Sequence, residues 1–322
     1  MRSTAPPASP TSTCPPVDTT TSRRKIMILI TGATGKIASR VVHSLLAADQ
    51  DVRALSRDAD RARSALGPDV DVVAGEWSEA SVLDRALDGV DHVFLAVGTT
   101  PGQDELEKLV IDAADRSAAR PHVVKLSTYG ADKAGSELPP YQVAAWHRSS
   151  EAHLQATGLP ATVLRPNAYM DNLLASAGTI AGQDALYSST GQGRVSMVDT
   201  RDVADVAVAV LTTPGHEGLA YPITGGRAVD SAAIVEVLTR VLGRDISFVP
   251  VDEATVEGAL SGLGIPSALV PVFLEGNRLI EHSVFETVED DVRLRLTGTP
   301  RRSLEEFVGT WAAAFGGSLV AT

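Results

Sequence analysis

The sequence predicts an α/β protein whose core is a doubly wound parallel sheet, with a smaller C-terminal lobe. Short apolar runs rich in Val, Ile and Leu alternate with helical patterns along most of the chain. Such runs, repeated every ~20 to 30 residues, are typical of parallel strands covered by helices on both faces. The predicted strands are 26–31, 51–56, 71–76, 92–97, 122–127, 161–166 and 219–224. The predicted helices between them are 36–48, 58–66, 79–87, 103–119, 141–157 and 202–212.

The pattern changes after residue 225. An amphipathic helix at 231–243 ends at Gly243, a short strand follows at 246–251, and further helices are predicted at 252–262, 266–282 and 301–315. We therefore expect a nucleotide-binding domain of 26–166, with 195–225 returning to it, and a substrate-binding lobe of 167–194 and 226–315.

Residues 1–25 are dominated by Ser, Thr and Pro and predict a disordered tail, which contains the single cysteine, Cys14. A lone cysteine allows no intrachain disulfide and indicates a cytoplasmic location. The formal charge of −12 argues against nucleic acid and anionic membranes as partners, and no stretch is apolar enough to span a membrane. No His/Cys/Asp cluster has metal-ligand spacing. The oligomeric state stays open.

The segment "TGATGKIA" lies between the first predicted strand and helix, as in a dinucleotide-binding turn. Gly32 permits the tight turn, and Gly35 lets the backbone approach a pyrophosphate. The next helix directs its free N–H groups and its dipole at that anion. Ala38 takes the place of the usual third small residue. The segment therefore predicts a dinucleotide cofactor.

The end of the second predicted strand distinguishes NADP(H) from NAD(H). An NAD(H)-binding chain carries an acidic residue there, which hydrogen-bonds the ribose hydroxyls. This chain has Ser56 and Arg57, and an arginine can pair with the 2′-phosphate of NADP(H). Asp58 follows and leaves NAD(H) open, although a carboxylate is also favoured in the first turn of a helix. Lys36 adds positive charge nearby.

Several segments together resemble the NmrA-like, atypical short-chain dehydrogenase/reductase family: "TGATGKIA", "VRALSRDADRA", "HVVKLSTYGAD", "WHRSSEAHLQATGLPATVLRPNAYMDNLL" and "YPITGG". The members most similar are type 2 quinone oxidoreductases and triphenylmethane reductases. The resemblance implies a Rossmann domain with a smaller, discontinuous C-terminal lobe and NADP(H) in the cleft. It also implies either reduction of quinones, dyes or ketones, or redox sensing without turnover.

Ordinary short-chain dehydrogenases carry Tyr-x-x-x-Lys on the helix after the fifth strand, where the tyrosine donates a proton as hydride arrives. Counting back from Glu151 places Val143 and His147 at these positions, so the acid is absent. The resemblance implies that His147 hydrogen-bonds the nicotinamide ribose or orients a substrate. Tyr129 and Lys133 match the spacing literally, but Gly130 argues against a helix there. Tyr129 follows a central strand and is a candidate proton donor.

The expected catalytic residues are therefore His147 and Tyr129, and the expected substrate contacts are Tyr129 and Tyr169. The expected cofactor contacts are Thr31, Gly32, Thr34, Gly35, Lys36, Ile37, Ser56, Arg57, Ala96, Val97, Gly98, Ser127, Thr128, His147, Pro166 and Asn167. Tyr141 is expected to project away from Val143 and to be packed or exposed. A helix is expected to start near 199–202, where the polar residues have a structural role and Asp202 or Thr200 is the expected N-cap.

Without a tyrosine acid, hydride transfer favours acceptors whose anion is delocalised and can be protonated by solvent. We therefore predict an NAD(P)H-dependent reductase of a quinone, an enone or a polycyclic aromatic ketone. The apolar segment 260–286 suits a lid over such a small apolar or aromatic substrate. The alternative is a non-enzymatic NADP(H) sensor of the NmrA type. An epimerase is disfavoured, because sugar-nucleotide epimerases normally keep Tyr-x-x-x-Lys.

Overall fold

The computed structural model describes residues 25–68 and 70–317. Apart from Lys25, the predicted disordered tail lies outside the described residues, and so does Cys14. Where the structure describes the chain, no helix is both long and apolar enough to cross a membrane. The cytoplasmic location stays a prediction.

Seven parallel strands form the main sheet, which confirms the predicted fold class. The strands of the structure are β1 (Met27–Thr31), β2 (Asp51–Ser56), β3 (Asp71–Ala74), β4 (His92–Leu95), β5 (His122–Leu126), β6 (Ala161–Pro166), β7 (Ala185–Ser188), β8 (Ala220–Ile223) and β9 (Ser247–Pro250). The sheet order is β3-β2-β1-β4-β5-β6-β8, and β7 pairs with β9 in a separate parallel ribbon. The chain reverses its winding direction between β1 and β4, which is where α/β sheets bind their ligands.

The helices follow the strands in the alternating order predicted. They are α1 (Lys36–Ala47), α2 (Ala59–Leu66), α3 (Ala80–Leu87), α4 (Gln103–Arg116), α5 (Gln142–Thr157), α6 (Ala177–Gln183), α7 (Thr200–Thr212), α8 (Ser231–Leu242), α9 (Glu253–Gly262), α10 (Val270–Glu281), α11 (Val292–Thr297) and α12 (Leu304–Thr310). Short 3₁₀ helices span Ala131–Lys133 and Met170–Ser176.

Two predictions about helix termini are wrong. Neither Thr200 nor Asp202 caps α7, because both lie inside the helix, and the Asp199 carboxylate accepts from the Arg201 amide instead. The single helix predicted at 301–315 begins only after Ser303, whose side chain forms a capping box, and ends at residue 310. The preceding helix, α11, was not predicted.

The sheet is buried on both faces because its strand residues alternate between two apolar clusters. Ile28 and Ile30 pack in a cluster with α1 and α7, whereas Leu29 packs on the opposite face with α3 and α4. A third cluster is built mainly from residues after 167, including Met170, Ile234 and Phe307. The division into two lobes at the predicted boundaries stays a prediction.

The chain after α10 is tied back to the sheet through α7. The buried Asp202 carboxylate accepts from the Arg302 amide at 2.7 Å and lies 3.3 Å from the Arg293 guanidinium. Burial raises the pKa of Asp202, and the hydrogen bonds from Arg302 oppose that rise. These contacts fix the position of the C-terminal segment relative to the cleft described below.

Candidate active site

A cleft of about 400 Å³ opens at the carboxyl ends of the central strands. It is lined by the turn after β1, by the ends of β4, β5 and β6, and by residues of α5 and α10. The predicted site residues in its lining are Gly32, Gly35, Lys36, Ile37, Ala96, Val97, Gly98, Ser127, Thr128, Tyr129, His147, Pro166, Asn167 and Tyr169. The structure therefore brings together all but four of the residues singled out in the sequence.

The turn after β1 has the geometry that an anion needs. Gly32 has a φ of +57°, and a Cβ placed on it would lie 2.6 Å from the Ala96 carbonyl oxygen. Only glycine fits such a position without strain. Gly35 is the N-cap of α1, no side chain caps that helix, and its first turn contains no acidic residue. The amide groups of this helix start are free to bind phosphate oxygens.

The four predicted site residues outside the lining are Thr31, Thr34, Ser56 and Arg57. Thr31 is fully buried, and its hydroxyl bonds both the carbonyl oxygen and the amide of Ala96, at 2.9 and 2.8 Å. The Thr31 side chain therefore joins β1 to the end of β4. The Ser56 hydroxyl is likewise used locally, because it donates to the Asp58 carbonyl oxygen at 2.9 Å.

Arg57 and Asp58 have different roles at the end of β2. The Asp58 carboxylate caps α2 by accepting from the Arg61 amide at 3.0 Å. The Arg57 side chain is exposed and makes no hydrogen bond or ion pair to any described residue. The Asp58 carboxylate thus stabilises the start of α2, whereas the Arg57 guanidinium is available to a ligand.

The α5 wall contains Val143 and His147, which are predicted to stand where ordinary short-chain dehydrogenases carry tyrosine and lysine. Both residues line the cleft. The segment 129–133, which matches Tyr-x-x-x-Lys literally, does not form an α-helix: Gly130 has a φ of +79°, and Lys133 ends a 3₁₀ helix. Tyr129 nevertheless reaches the cleft, where its hydroxyl donates to the Glu289 carboxylate at 2.9 Å. Burial raises the pKa of Tyr129.

A buried polar network supports His147 from below. The Lys125 ammonium lies 2.9 Å from His147 Nδ1 and 3.0 Å from Glu107 Oε2, and the Ser150 hydroxyl also donates to Glu107. Burial and the Lys125 charge hold the pKa of His147 well below its ordinary value. The sequence analysis missed Lys125, although a lysine inside the apolar run "HVVKLS" is an available signal.

Two other predicted residues are held by hydrogen bonds of their own. The Ser127 hydroxyl donates to Glu151, whose other oxygen accepts from Arg165 at 2.6 Å. The Asn167 amide donates to the Ser196 hydroxyl at 2.8 Å and to the Phe285 carbonyl oxygen at 2.9 Å. Asn167 therefore joins the end of β6 to the segment after α10, and its side chain holds these two parts of the cleft lining together.

Aromatic side chains form another part of the cleft lining. Tyr141, Tyr169, Phe273 and Phe285 line the cleft, and the Tyr141 and Phe285 rings lie 5.8 Å apart. The expectation that Tyr141 projects away is wrong, because Tyr141 precedes α5 with an extended backbone and the helical angle does not apply. Burial raises the pKa of Tyr141 to about 12 and also raises that of Tyr169.

Asp171 is the acidic residue in this lining. It is 5% exposed, and its carboxylate accepts from the Thr200 hydroxyl at 2.8 Å. In the part of the chain that the structure describes, no group of three His, Cys, Asp or Glu side chains is placed to hold a metal ion. The polar groups of the cleft are therefore suited to hydrogen bonding and to binding an anion at the helix start.

The fold and the cleft define a class: a Rossmann-type protein that binds a dinucleotide across the switch point of its sheet. The sequence model of the NAD(P)H-binding family matches residues 32–214, and the chain belongs to that family.

Three known proteins are similar to this chain over nearly their whole length. The NAD(P)H azoreductase of Xenophilus azovorans is 36% identical over 290 residues, which cover 90% of this chain and 99% of the relative. The Escherichia coli NADPH-dependent quinone oxidoreductase, solved in complex with NADPH, superimposes with a TM-score of 0.79 at 25% identity, covering 89% of this chain and 100% of that one. The Citrobacter triphenylmethane reductase shares the fold, with a TM-score of 0.77 at 23% identity over 88% of this chain and 99% of that one.

These comparisons confirm the predicted resemblance and the predicted class, an NAD(P)H-dependent reductase. They also confirm that the cofactor is a nicotinamide dinucleotide. The individual site residues stay predictions.

Proposed function

We propose that this chain transfers hydride from NADPH to a quinone, an enone or a polycyclic aromatic ketone bound in the cleft. One observation carries the proposal. The same cleft is lined by an uncapped helix start with a glycine turn and by aromatic side chains that include Tyr141, Tyr169, Phe273 and Phe285. The helix start suits a pyrophosphate, and the aromatic side chains suit a flat apolar acceptor.

The residues present fit the cofactor. A Cβ would fill the space at Gly32, and the first turn of α1 offers amide groups without a competing carboxylate. Gly32, Gly35 and Lys36 would hold the pyrophosphate, and the backbone from Ala96 to Gly98 would pass beneath the dinucleotide. When bound, the nicotinamide supplies the hydride.

Arg57 supports a preference for NADPH over NADH. Its guanidinium has no partner among the described residues, and it lies at the end of β2, next to the strand that leads into the phosphate turn. A guanidinium there can pair with a 2′-phosphate. The relative solved with NADPH agrees with this preference.

The lining also supports a delocalised acceptor. Val143 replaces the usual tyrosine acid, and the phenols of Tyr141 and Tyr169 are weak acids because burial raises each pKa. Hydride addition to a quinone or enone gives an anion that solvent can protonate. The chain's own part is then to orient the acceptor and to exclude bulk water from it. Because one relative is named an azoreductase, azo compounds are added to the acceptors to be tested.

The test is NADPH consumption by the purified protein against quinones, enones, polycyclic aromatic ketones and azo compounds. Phe273→Ala should raise KM for the acceptor by about tenfold without changing KM for NADPH, because Phe273 lies on the apolar side of the cleft. Leu263→Ala is the matched control, since Leu263 is 60% exposed and lies outside the lining.

Absence of turnover across the whole panel, together with tight NADPH binding, would contradict the reductase proposal. That result would favour the NADP(H) sensor instead. Equal effects of the Phe273 and Leu263 substitutions would contradict the assignment of this wall to the acceptor.

A further inference from the structure

A fully buried lysine lies directly beneath the cleft wall. Lys125 stands on β5 with 0% of its side chain exposed. Its Nζ lies 3.0 Å from Glu107 Oε2, 2.9 Å from His147 Nδ1 and 3.3 Å from the Leu126 carbonyl oxygen. An ammonium has three protons to donate, and here it has three acceptors. The Glu107 carboxylate is the counter-charge that a buried ammonium needs.

This contact determines where the imidazole carries its proton. Lys125 can only donate when charged, so His147 Nδ1 must accept, and the ring proton of the neutral imidazole lies on Nε2. Gln103 does not by itself choose between the tautomers. Its Nε2 lies 3.1 Å from His147 Nε2 and 3.4 Å from Glu107 Oε1 while its Oε1 has no partner, and only the turned-over amide would accept a hydrogen bond from the imidazole Nε2. The assignment therefore rests on the Lys125 contact.

We propose that Lys125 and Glu107 are positioning residues that hold His147 neutral, with its proton on Nε2, at the wall of the cleft. His147 then presents a neutral imidazole of fixed orientation to the nicotinamide ribose or the acceptor, and this role rests on the proposed function.

The charged groups around His147 come from two elements. Lys125 contacts it from β5, and Glu107 Oε1 lies 3.7 Å from Nδ1 on the side of α4. Glu151, one turn further along α5, is already bound to Ser127 and Arg165. Removal of Lys125 would therefore leave Glu107 as the uncompensated charge beside the imidazole, and its carboxylate would draw a proton onto Nδ1.

The decisive experiment is histidine NMR on the full-length protein, with the His147 signals assigned by a His147→Gln variant. In the wild type we expect a neutral ring protonated on Nε2, with no titration between about pH 5 and 8. In Lys125→Met we expect His147 to titrate within that range. Lys133→Met, which removes an exposed lysine, should leave the signals unchanged.

A second variant covers the case in which Lys125→Met does not fold. Lys125→Met combined with Glu107→Gln leaves no unpaired charge from this pair beside His147, so we expect a folded protein in which His147 does not titrate. A contrast between the single and double variants is specific to the charge pair, because a merely structural loss would affect both alike. In the single variant, kcat/KM should also fall as the pH is lowered through the new titration.

The proposal is overturned if wild-type His147 carries its proton on Nδ1 or titrates between about pH 5 and 8. It is also overturned if the single and double variants behave alike. The NMR result does not depend on turnover, so failure of the proposed reductase activity would be seen separately, as absence of NADPH consumption by the wild type.

Discussion

Replacement of Arg57 tests the cofactor preference most directly. In Arg57→Ala the guanidinium is lost from the end of β2, and no described contact of the fold is lost with it. We therefore expect the stability of the protein to change little and the binding of NADPH to weaken. Because NADH lacks the 2′-phosphate, its binding should not change.

The size of the effect follows from the exposure of the site. A hydrogen bond to a charged group contributes about 1.5–3 kcal/mol when shielded, whereas exposed ion pairs contribute about 0.2–1 kcal/mol. The phosphate would lie against a strand end that is open to solvent. We therefore expect its contact with Arg57 to contribute about 1–2 kcal/mol to the binding of NADPH. KM for NADPH should rise by about 5- to 30-fold, with kcat unchanged.

The assay measures KM for NADPH and for NADH with one acceptor, by the absorbance of the reduced nicotinamide. The wild-type preference for NADPH should also weaken as salt is added, and the variant should have lost that dependence. Arg85→Ala is the control, since Arg85 is exposed near the end of α3 and its carbonyl oxygen accepts from Arg53 within β2 rather than facing the strand end that precedes Arg57. An unchanged KM for NADPH, or an equal rise for NADH, would refute the assignment of Arg57.

Three further predictions concern the turn, the sheet and the proton. Gly32→Ala should abolish NADPH binding and lower the free energy of unfolding by more than Gly89→Ala, as measured by urea titration. Both glycines have a positive φ, but only at Gly32 would a Cβ meet an obstacle, the Ala96 carbonyl oxygen. Burial lowers the pKa of His122 from 6.5 to about 4, so the unfolded chain binds a proton first and stability is lost as the pH falls between these values. The loss should be at most about 3 kcal/mol and should be absent in His122→Gln. Tyr141→Phe should lower kcat with a quinone by less than about tenfold, because general acids contribute about 10²- to 10⁴-fold.

Each of these has an outcome that would contradict it. Equal destabilisation by the two glycine substitutions would show that the close contact at Gly32 is unimportant. Persistence of the acid sensitivity in His122→Gln would assign it to other groups, such as His92, whose pKa burial also lowers. A loss of a hundredfold or more in Tyr141→Phe would make that phenol the proton donor.

Much of the fold was predictable because its signals are local. Apolar runs bounded by turns place the strands of the main sheet, and a glycine turn between a strand and a helix needs only a few consecutive residues. The start of α7 shows the limit of such signals: Asp199, Thr200 and Asp202 all have side chains that cap helices, and only the backbone shows which precedes the first turn.

The individual residues of the cleft were predictable mainly where they lie at strand ends. Parallel strands bring their ends together whatever the rest of the chain does. Phe273 and Phe285 lie in the apolar segment 260–286, which was expected to cover the substrate, but no pattern in the sequence singles out these two residues or connects them to Tyr141. Lys125 was missed for a different reason, because a lysine in a strand is usually read as an exposed edge residue, whereas this one has its counter-charge on a helix.

The origin of the two walls has a consequence for how such reductases diversify. In the proposed function, strand ends and the start of α1 would hold the reductant, and these positions belong to the sheet and its first helix. The acceptor would meet α10, a single helix whose cleft-lining residues include Val272, Phe273 and Ile280. Exchange of those few side chains would change which molecule is reduced while the hydride source stays the same. A chain built this way can acquire new acceptors by substitution within one short segment.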